Sequence, residues 1–376
     1  MFWEELTGVP STGGAKGADT RMADSTLADW GEFRLLDEVV LPVLRDVAVT
    51  NGLGDDVAYI PLGPTGDHLV ITCDVAPKPL AWKYVPSPYW SWGWYAVLPN
   101  ASDLASAGAE PLAFTSSVEA PSSMTVEEFR QFFAGMAEAC RQFRMPNAGG
   151  NIRMAPRFAC HGTAIGTVTT GQLLTRSGCK PGDTLAVIGE CGSFVTAYLR
   201  ARARGFSSLA EGERQLLMRP GTRLREMAIL RKAGVLHATS DNSDGILGSL
   251  WNIVERSKCA VDLVLDDALI PPSVRDAAQD EHVDPWNLMF FWGDWQVVVA
   301  IAKDALDEFR QIARQQNIAY TVLGSATEGP PALSASRGGS RRSVNIVRNE
   351  NFRTQSYNAS PDVHVEFMLR TPILSH

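Results

Sequence analysis

Hydrophobic and polar positions along the chain follow two periods, one typical of helices and one typical of strands. Apolar residues recur every three or four positions in GEFRLLDEVVLPVLRDV (31–47) and MTVEEFRQFFAGMAEACRQF (124–143), which predicts two amphipathic helices. The stretch SWGWYAVLPNASDLASAGAEP (91–111) predicts a third helix with small residues on one face. Strands are predicted over three apolar runs, 67–75, 112–120 and 158–171. This mixed order of elements predicts an α/β or α+β fold.

A second unit is predicted to begin near residue 172, where the turn residues KPGD lead into an apolar strand. The sequence from about 330, with SASRGGSRRS, has a composition typical of disorder. We therefore predict four segments: an N-terminal arm (1–30), a first domain (31–171), a second α/β domain (172–330) and a C-terminal tail (331–376).

Composition narrows the class of protein. The 376 residues suffice for two domains, and the net charge of -8 argues against a general nucleic-acid binder, which needs a basic face. No apolar stretch is long enough to cross a bilayer, and the start lacks the pattern of a signal peptide. The six cysteines form no C-x-x-C pair, which favours free thiols in a reducing compartment. We expect a cytoplasmic protein that binds neither membrane nor nucleic acid.

Carboxylates stand at the ends of several predicted elements. Asp55 and Asp56 are adjacent in NGLGDDVAY, although like charges beside an apolar run repel each other. A magnesium ion carrying a nucleotide would explain the pair, and so would a flexible, solvated turn. The usual phosphate-binding motifs fail, because GVPSTGG (8–14) lacks the P-loop lysine and no G-x-G-x-x-G follows a predicted strand.

Seven motifs occur in an order that resembles the thiamine-monophosphate kinases: GEFRLL (31–36), GLGDDVA (52–58), TCDV (72–75), NASDLASAGAEP (100–111), a polar residue after GG (149–151), LTRSGCKPGD (174–183) and DNSDGI (241–246). That family is similar to aminoimidazole ribonucleotide synthetase, selenophosphate synthetase and a hydrogenase maturation protein. The resemblance covers about 31–330. It implies a two-domain aminoimidazole ribonucleotide synthetase-like fold, whose N-terminal domain forms a shared barrel in a homodimer.

The resemblance also implies the site residues. Metal ligands are implied at Asp56, Thr72, Cys73, Asp74, Asp103, Asn151, Asp241 and Asp244. ATP contacts are implied at Gly150, Asn151, Arg176 and Ser243, and the catalytic centre at Asp56, Asp103 and Asp244. Asn151 replaces a family aspartate, so one implied Mg2+ ligand has lost its charge.

The acceptor side departs from the family. Ala81 or Trp82 stands where the family has a histidine, and Gly293 replaces a glutamate, although Asp294 is retained. Aromatic residues crowd 82–95, and Trp292 lies beside Gly293. They either pack in the core or an interface, or they form a pocket for a flat or cationic acceptor other than thiamine phosphate. The candidate acceptor contacts are Trp82, Trp292, Gly293 and Asp294.

The sequence therefore predicts an ATP- and Mg2+-dependent phosphotransferase that moves the γ-phosphoryl group of ATP to a small acceptor, either thiamine monophosphate or another molecule. One alternative is an amide-forming or cyclising enzyme that phosphorylates a carbonyl or carboxyl oxygen. The other is a degenerate nucleotide-binding regulatory subunit, for which Asn151 and Gly293 are the motivation.

Overall fold

The computed structural model describes residues 25–44, 47, 54–63, 66–169 and 171–375. Most of the expected N-terminal arm (1–24), including GVPSTGG, and the start of NGLGDDVAY (51–53) lie outside these residues. The described part begins with two short helices, α1 (Leu27–Trp30) and α2 (Glu32–Leu35). A π-helical turn (Leu36–Val40) then leads into α3 (Leu41–Leu44). The predicted helix at 31–47 is therefore observed over 32–44.

The first domain is built on a five-stranded sheet in the order β1-β2-β5-β3-β4. Its strands are β1 (Ala58–Leu62), β2 (Asp67–Val75), β3 (Glu110–Ala120), β4 (Asn147–Met154) and β5 (Ala159–Val168). All pairs are antiparallel except β3 and β4. Two helices, α4 (Pro88–Ser106) and α5 (Val126–Gln142), pack with the sheet in one apolar core.

The small residues of α4 have a packing role. Gly93 of α4 faces the backbone of Phe132, and Gly135 of α5 faces the backbone of Trp90, so a Cβ atom at either glycine would collide with the other helix. The two helices therefore approach closely where they cross. The helix predicted at 91–111 ends earlier, at Ser106, because Gly108 turns the chain with a φ of 65° into β3.

The second domain contains a seven-stranded sheet in the order β12-β11-β8-β10-β6-β9-β7. Its strands are β6 (Thr184–Ile188), β7 (Leu236–Asp241), β8 (Ala260–Val264), β9 (Val297–Ile301), β10 (Tyr320–Thr327), β11 (Ala332–Arg337) and β12 (Ser340–Ser343). Its helices are α6 (Ser193–Arg204), α7 (Glu211–Met218), α8 (Leu224–Ala233), α9 (Ile246–Ser257), α10 (Pro272–Glu281), α11 (Pro285–Met289), α12 (Leu306–Gln316) and α13 (Pro361–Arg370). The mixed two-domain fold that the sequence predicts is confirmed.

The prediction of a disordered tail after 330 is wrong. Strand β11 pairs in parallel with β8, and β12 pairs with β11. Helix α13 buries Val365, Met368 and Leu369 in the core of the second domain. Polar composition concealed this order, because the apolar residues that are buried are spaced among Ser, Arg and Asn.

Candidate active site

Four carboxyl groups from separate elements meet between the domains. Asp56 precedes β1, Asp74 lies near the end of β2, Asp103 lies in α4, and Asp241 ends β7. The backbone N–H of Asp241 donates to Oδ2 of Asp56 at 3.1 Å. The Thr72 hydroxyl donates to Oδ2 of Asp103 at 2.5 Å, and the Ser102 hydroxyl donates to Asp241 at 3.2 Å. We call Asp56, Asp74, Asp103 and Asp241 the carboxylate cluster.

Arg176 provides positive charge next to this cluster. Its guanidinium group forms an ion pair with Asp56 at 2.5 Å and donates from Nη1 to the carbonyl of Gly54 at 3.2 Å. The Asp55 carboxylate does not point into the carboxylate cluster, because it accepts from the backbone N–H groups of Asp56 and Arg176, both at 3.1 Å. Asp56 therefore belongs to the cluster, whereas Asp55 holds the turn that presents it.

The cluster carries more negative charge than its surroundings neutralise. Burial, and then the charge of Asp74, raises the pKa of Asp103 well above its usual range. Burial, and then the charge of Asp56, has the same effect on the pKa of Asp241. Burial also raises the pKa of Asp74. A bound cation would relieve this repulsion, because it favours the ionised form of each carboxyl group.

Asp244 lies beside the cluster, just before α9. Burial, and then the charge of Glu32, raises its pKa to about 6. Asn349 donates from Nδ2 to Oδ1 of Asp244 at 3.1 Å. Ser243, the preceding residue, is exposed and lies on the wall of the same cavity as Asp244.

Three implied residues do not join the cluster. The Cys73 side chain points to the other face of β2, where the Thr163 hydroxyl lies 3.3 Å from its sulfur, so only its backbone could serve a ligand there. Gly150 and Asn151 lie on β4. The register aligns Asp74 with Gly150 across β5 and β3, three strand spacings or about 14 Å apart.

A cavity of about 230 Å³ opens beside the cluster. Its walls include one cluster residue, three further charged groups, four aromatic rings and three amides: Asp74, Glu32, Lys78, Asp244, Tyr95, Trp292, Trp295, Tyr357, Asn349, Asn351 and Asn358. We call this cavity the acceptor pocket. Its walls contain residues from near the start and near the end of the described chain, and from α4.

Of the four acceptor contacts predicted from the sequence, only Trp292 lines this pocket. Trp82 packs edge to face with Tyr89, at a centroid distance of 4.9 Å. Asp294 is buried and accepts from the backbone N–H of Phe194 at 2.7 Å, which caps the start of α6. Gly293 has a φ of 105°, and a Cβ atom there would collide with the Phe194 ring. These contacts explain why a substrate-facing side chain cannot occur at 293.

Sequence reasoning missed several pocket residues. Glu32 belongs to the GEFRLL motif, which carries the family resemblance but does not mark Glu32 as a site residue. Its carboxylate accepts from the backbone N–H and from Nδ2 of Asn351, both at 2.9 Å. Tyr95 was one aromatic residue among many in 82–95. Asn349 and Tyr357 lie in the segment assigned to disorder, so their composition gave no signal.

The donor set suits a hard cation shared with other oxygen ligands. Within the described residues, no three His, Cys, Asp or Glu side chains are placed to hold a metal ion by themselves. Mg2+ usually takes only one or two carboxylates and completes its shell with phosphate and water. The cluster therefore fits Mg2+ bound together with a phosphate.

No helix in the described ranges is long and apolar enough to cross a membrane.

Comparison with known proteins identifies relatives of both domains. Residues 54–168 match the AIR synthase related protein, N-terminal domain, and residues 180–333 match the AIR synthase related protein, C-terminal domain. The thiamine-monophosphate kinase of Synechococcus elongatus is 26% identical over 82% of this chain and 92% of its own. That of Mycobacterium tuberculosis is 29% identical over 73% of this chain and 81% of its own.

Solved structures agree on the fold. A structure described as AaThiL complexed with AMPPCP and TMP covers 86% of this chain and 98% of its own, with a TM-score of 0.71 and 20% identity. A HypE-HypF complex covers 83% of this chain and 99% of its own, with a TM-score of 0.65 and 18% identity. The resemblance to thiamine-monophosphate kinases seen in the sequence is confirmed. The chain belongs to the AIR synthase related family.

Proposed function

We propose that the chain is an ATP-dependent phosphotransferase that uses Mg2+ and moves the γ-phosphoryl group of ATP to a small molecule in the acceptor pocket. The observation that carries this proposal is the position of the carboxylate cluster, which reaches the acceptor pocket at Asp74. A cation and a phosphate bound at the cluster would lie directly beside the acceptor. The relatives named thiamine-monophosphate kinase support the same reaction class.

The cluster residues would hold the metal. Asp56 and Asp241 come from different domains and are already linked through the backbone N–H of Asp241. Asp74 and Asp103 face them, and Thr72 fixes one oxygen of Asp103. When bound, Mg2+ neutralises charge on the phosphate oxygens during transfer. Asp244, held by Asn349, would add a further oxygen ligand.

The remaining residues would position the nucleotide. Arg176 has a fork of donors suited to a phosphate, and its present partner, Asp56, would turn to the metal. Ser243 is exposed on the pocket wall and would donate to the nucleotide. Gly150 and Asn151 would contact ATP at a distance from the cluster, along the edge of the sheet.

The transfer itself needs little from the protein beyond placement and charge. An oxygen of the acceptor attacks the γ-phosphorus as the bond to the ADP oxygen breaks, and ADP leaves with that electron pair. An acceptor that is a phosphate monoester is already anionic, so the reaction requires no general base. The buried aromatic walls of the pocket would exclude water, which would otherwise hydrolyse ATP.

We further propose that the protein is a homodimer formed through the first sheet. Every residue of β4 is exposed, and Ile152 is 61% exposed although it is apolar. An open sheet edge with exposed apolar residues is a site for pairing with another chain. A second copy of the same strand would cover it, as in the shared barrel that the family resemblance implies.

Product analysis tests the reaction class. Mg2+-ATP is incubated with thiamine monophosphate, and ADP, free phosphate and phosphorylated acceptor are separated in one chromatogram. We expect equal amounts of ADP and phosphorylated acceptor, with Mg2+ required, and a loss of about 100-fold or more in kcat for Asp74→Asn. Asp280→Asn, an exposed aspartate on α10, is the matched control.

Other products would contradict the proposal. Free phosphate together with a condensed product would indicate the amide-forming alternative. Nucleotide binding without phosphorylation of thiamine monophosphate or of any other small-molecule acceptor offered would indicate a regulatory subunit. Either result rules out a phosphotransferase that acts on thiamine monophosphate.

A further inference from the structure

Among the described residues, Lys78 is the only cation on the wall of the acceptor pocket. Its neighbours on the wall already have partners. The amide of Asn349 donates to Asp244 at 3.1 Å, and the amide of Asn351 donates to Glu32 at 2.9 Å. The ammonium group of Lys78, in contrast, forms no ion pair with any described residue, and its recorded contact is with an aromatic ring. Lys78 is therefore a charge on this wall that neither an amide nor the proposed metal site uses.

The backbone of Lys78 is held on both sides. Pro77 and Pro79 flank it, and a proline fixes its own φ and restricts the residue before it. The Tyr357 hydroxyl donates to the carbonyl of Lys78. Tyr357 in turn packs edge to face on Trp292, at a centroid distance of 5.1 Å. The position of Lys78 is therefore fixed against the aromatic wall of the pocket.

The side chain of Lys78 rests on Trp82. Its Nζ lies 4.2 Å from the centroid of the Trp82 ring. An ammonium group has three N–H donors, and the face of one ring does not occupy all of them. Trp82 therefore supports the Lys78 side chain, although it does not line the pocket itself.

The charge of Lys78 lacks a compensating partner. Burial, and then the charge of Lys83, lowers the pKa of Lys78 below that of an ordinary lysine. Lys83 differs, because it lies outside the pocket wall and pairs with Asp362 at 3.2 Å. A bound anion would favour the charged form of Lys78, just as a bound cation favours the ionised form of the carboxylate cluster.

The acids on the same wall do not exclude an anion. In the proposed function, Asp74 and Asp244 hold Mg2+, which offsets their charge. Glu32 and Lys78 are then the charges that remain on the wall, and they have opposite signs. With the metal bound, the pocket therefore no longer repels an anionic group near Lys78.

The molecule also has room for the rest of an acceptor. A larger cavity of about 850 Å³, which we call the outer cavity, adjoins the acceptor pocket. The two share five wall residues: Glu32, Asp74, Val75, Asn351 and Asn358. Arg353 is the one cation among the described residues that line the outer cavity, and it donates to the carbonyls of Ala28 and Trp30 at 3.1 and 3.0 Å. An anionic group is therefore favoured at Lys78, and the organic body in the outer cavity.

We propose that Lys78 binds the phosphate group of a phosphate-monoester acceptor, the group that receives the γ-phosphoryl of ATP. An oxygen of the monoester forms the new bond to the γ-phosphorus, and the bond to the ADP oxygen breaks with its electron pair leaving on ADP. Lys78 offsets the repulsion between the two anionic groups as they meet. This inference rests on the proposed function, to which it adds a substrate-binding residue and a preference for a phosphorylated acceptor over an alcohol.

Binding of phenyl phosphate tests the role of Lys78 without turnover. The full-length protein is first saturated with Mg2+ and the non-hydrolysable analogue AMPPCP, so that the nucleotide site is closed to the probe. Phenyl phosphate is then titrated, and the fluorescence of the pocket residues Trp292 and Trp295 is followed. Lys78→Met should weaken binding about 10-fold or more, because it removes a charge-assisted contact and keeps an apolar stem over Trp82.

Matched variants and an uncharged probe provide the controls. Lys83→Met makes the same change at a lysine that is already paired, and it should leave the affinity for phenyl phosphate unchanged. Lys78→Arg keeps the charge and should retain most of the affinity. Phenol, which lacks the phosphate, should bind equally to the wild type and to Lys78→Met. All variants should bind Mg2+-AMPPCP within about twofold of the wild type.

Kinetics separate acceptor binding from nucleotide binding. With thiamine monophosphate as the acceptor, Lys78→Met should raise KM for the acceptor by about 10-fold and leave KM for ATP within about twofold. A residue with a merely structural role would affect both constants or the melting temperature.

Three results would overturn the inference. These are a wild-type protein that does not bind phenyl phosphate, a Lys78→Met protein that binds it as tightly as the wild type, and an equal loss of binding in Lys83→Met. Failure of the proposed function would look different. In that case the binding of phenyl phosphate would still depend on Lys78, but no acceptor would be phosphorylated when Mg2+-ATP is added.

Discussion

At the scale of one residue, burial determines whether the carboxyl group of Asp294 is ionised. Its Oδ1 accepts from the backbone N–H of Phe194 at 2.7 Å, while its Oδ2 has no partner among the described residues. Burial raises the pKa of Asp294 from 3.8 to about 7, and the hydrogen bond from Phe194 and the charge of Arg223 only partly oppose this rise. The group is therefore largely neutral in the folded protein at mildly acidic pH.

This pKa predicts how stability depends on pH. The folded protein holds a proton that the unfolded chain releases near pH 3.8, so the stabilising effect of that proton is complete below pH 3.8 and is lost as pH rises to about 7. Asp294→Asn should remove this loss, which is at most on the order of 4 kcal/mol for about three pKa units. Urea unfolding of both proteins between these pH values measures the difference. Parallel stability curves for the two proteins would contradict the prediction, and exposed Asp280→Asn is the control.

The Asp103→Asn variant should affect the stability of the ligand-free protein and the binding of metal in opposite directions. Asp103→Asn removes a carboxyl group whose ionisation is opposed by burial and by its neighbours, so at alkaline pH it should raise the melting temperature of the protein without ligand, while Thr72 can still donate to the amide oxygen. The same change should reduce the rise in melting temperature that Mg2+-ATP causes, because a ligand stabilises a protein only as far as it binds. Thermal unfolding with and without Mg2+-ATP measures both effects. An unchanged response to Mg2+-ATP would show that Asp103 is not a ligand.

At the scale of elements, the sequence correctly predicted the helices and strands whose hydrophobic residues recur with a clear period. Strand β2 has the predicted bounds, and α5 differs from its prediction by a few residues at each end. Strand β4 was missed because NAGGNIRM contains a glycine pair and no buried residue, so it lacks the pattern of a strand with one buried face. The elements after residue 330 were missed because their buried positions are set by distant partners such as β8.

Helix α13 should contribute to stability as a core element. Leu369 is fully enclosed in the second domain, so Leu369→Ala should lower the free energy of unfolding by about 2–5 kcal/mol. Val363, on the same helix, is 50% exposed, and Val363→Ala should change it by about 0.5 kcal/mol or less. Urea unfolding of the two variants makes the comparison. Equal, small effects would mean that the helix is not docked in solution.

At the scale of the whole molecule, the exposed edge at β4 predicts the oligomeric state. Ile152→Glu places a charge on the surface that a second copy would cover, and it should convert the proposed dimer to a monomer. Val126→Glu, at an 85% exposed position at the start of α5, should leave the mass unchanged. Light scattering after size exclusion gives the mass of each protein. A wild-type monomer, or an Ile152→Glu dimer, would contradict the proposal.

Only part of the candidate site could be predicted from the sequence, because local motifs mark the carboxylate cluster but not the acceptor pocket. Asp56, Asp74, Asp103 and Asp241 lie in motifs whose order alone identified them, and the fold brings them together. The acceptor pocket has no such motif, because Glu32 and Asn351 meet only through tertiary contact across more than three hundred positions of sequence. Local patterns cannot predict that contact.

The meeting of Glu32 with the segment from Asn349 to Asn358 at the acceptor pocket has a consequence for how such a protein diversifies. The groups proposed to handle phosphate come from the middle of the chain, whereas Glu32, Asn349, Asn351 and Tyr357 come from near its termini. Exchange of terminal segments between paralogues would therefore change the substrate range and leave ATP chemistry intact. The part of specificity that these segments carry would then be inherited separately from catalysis.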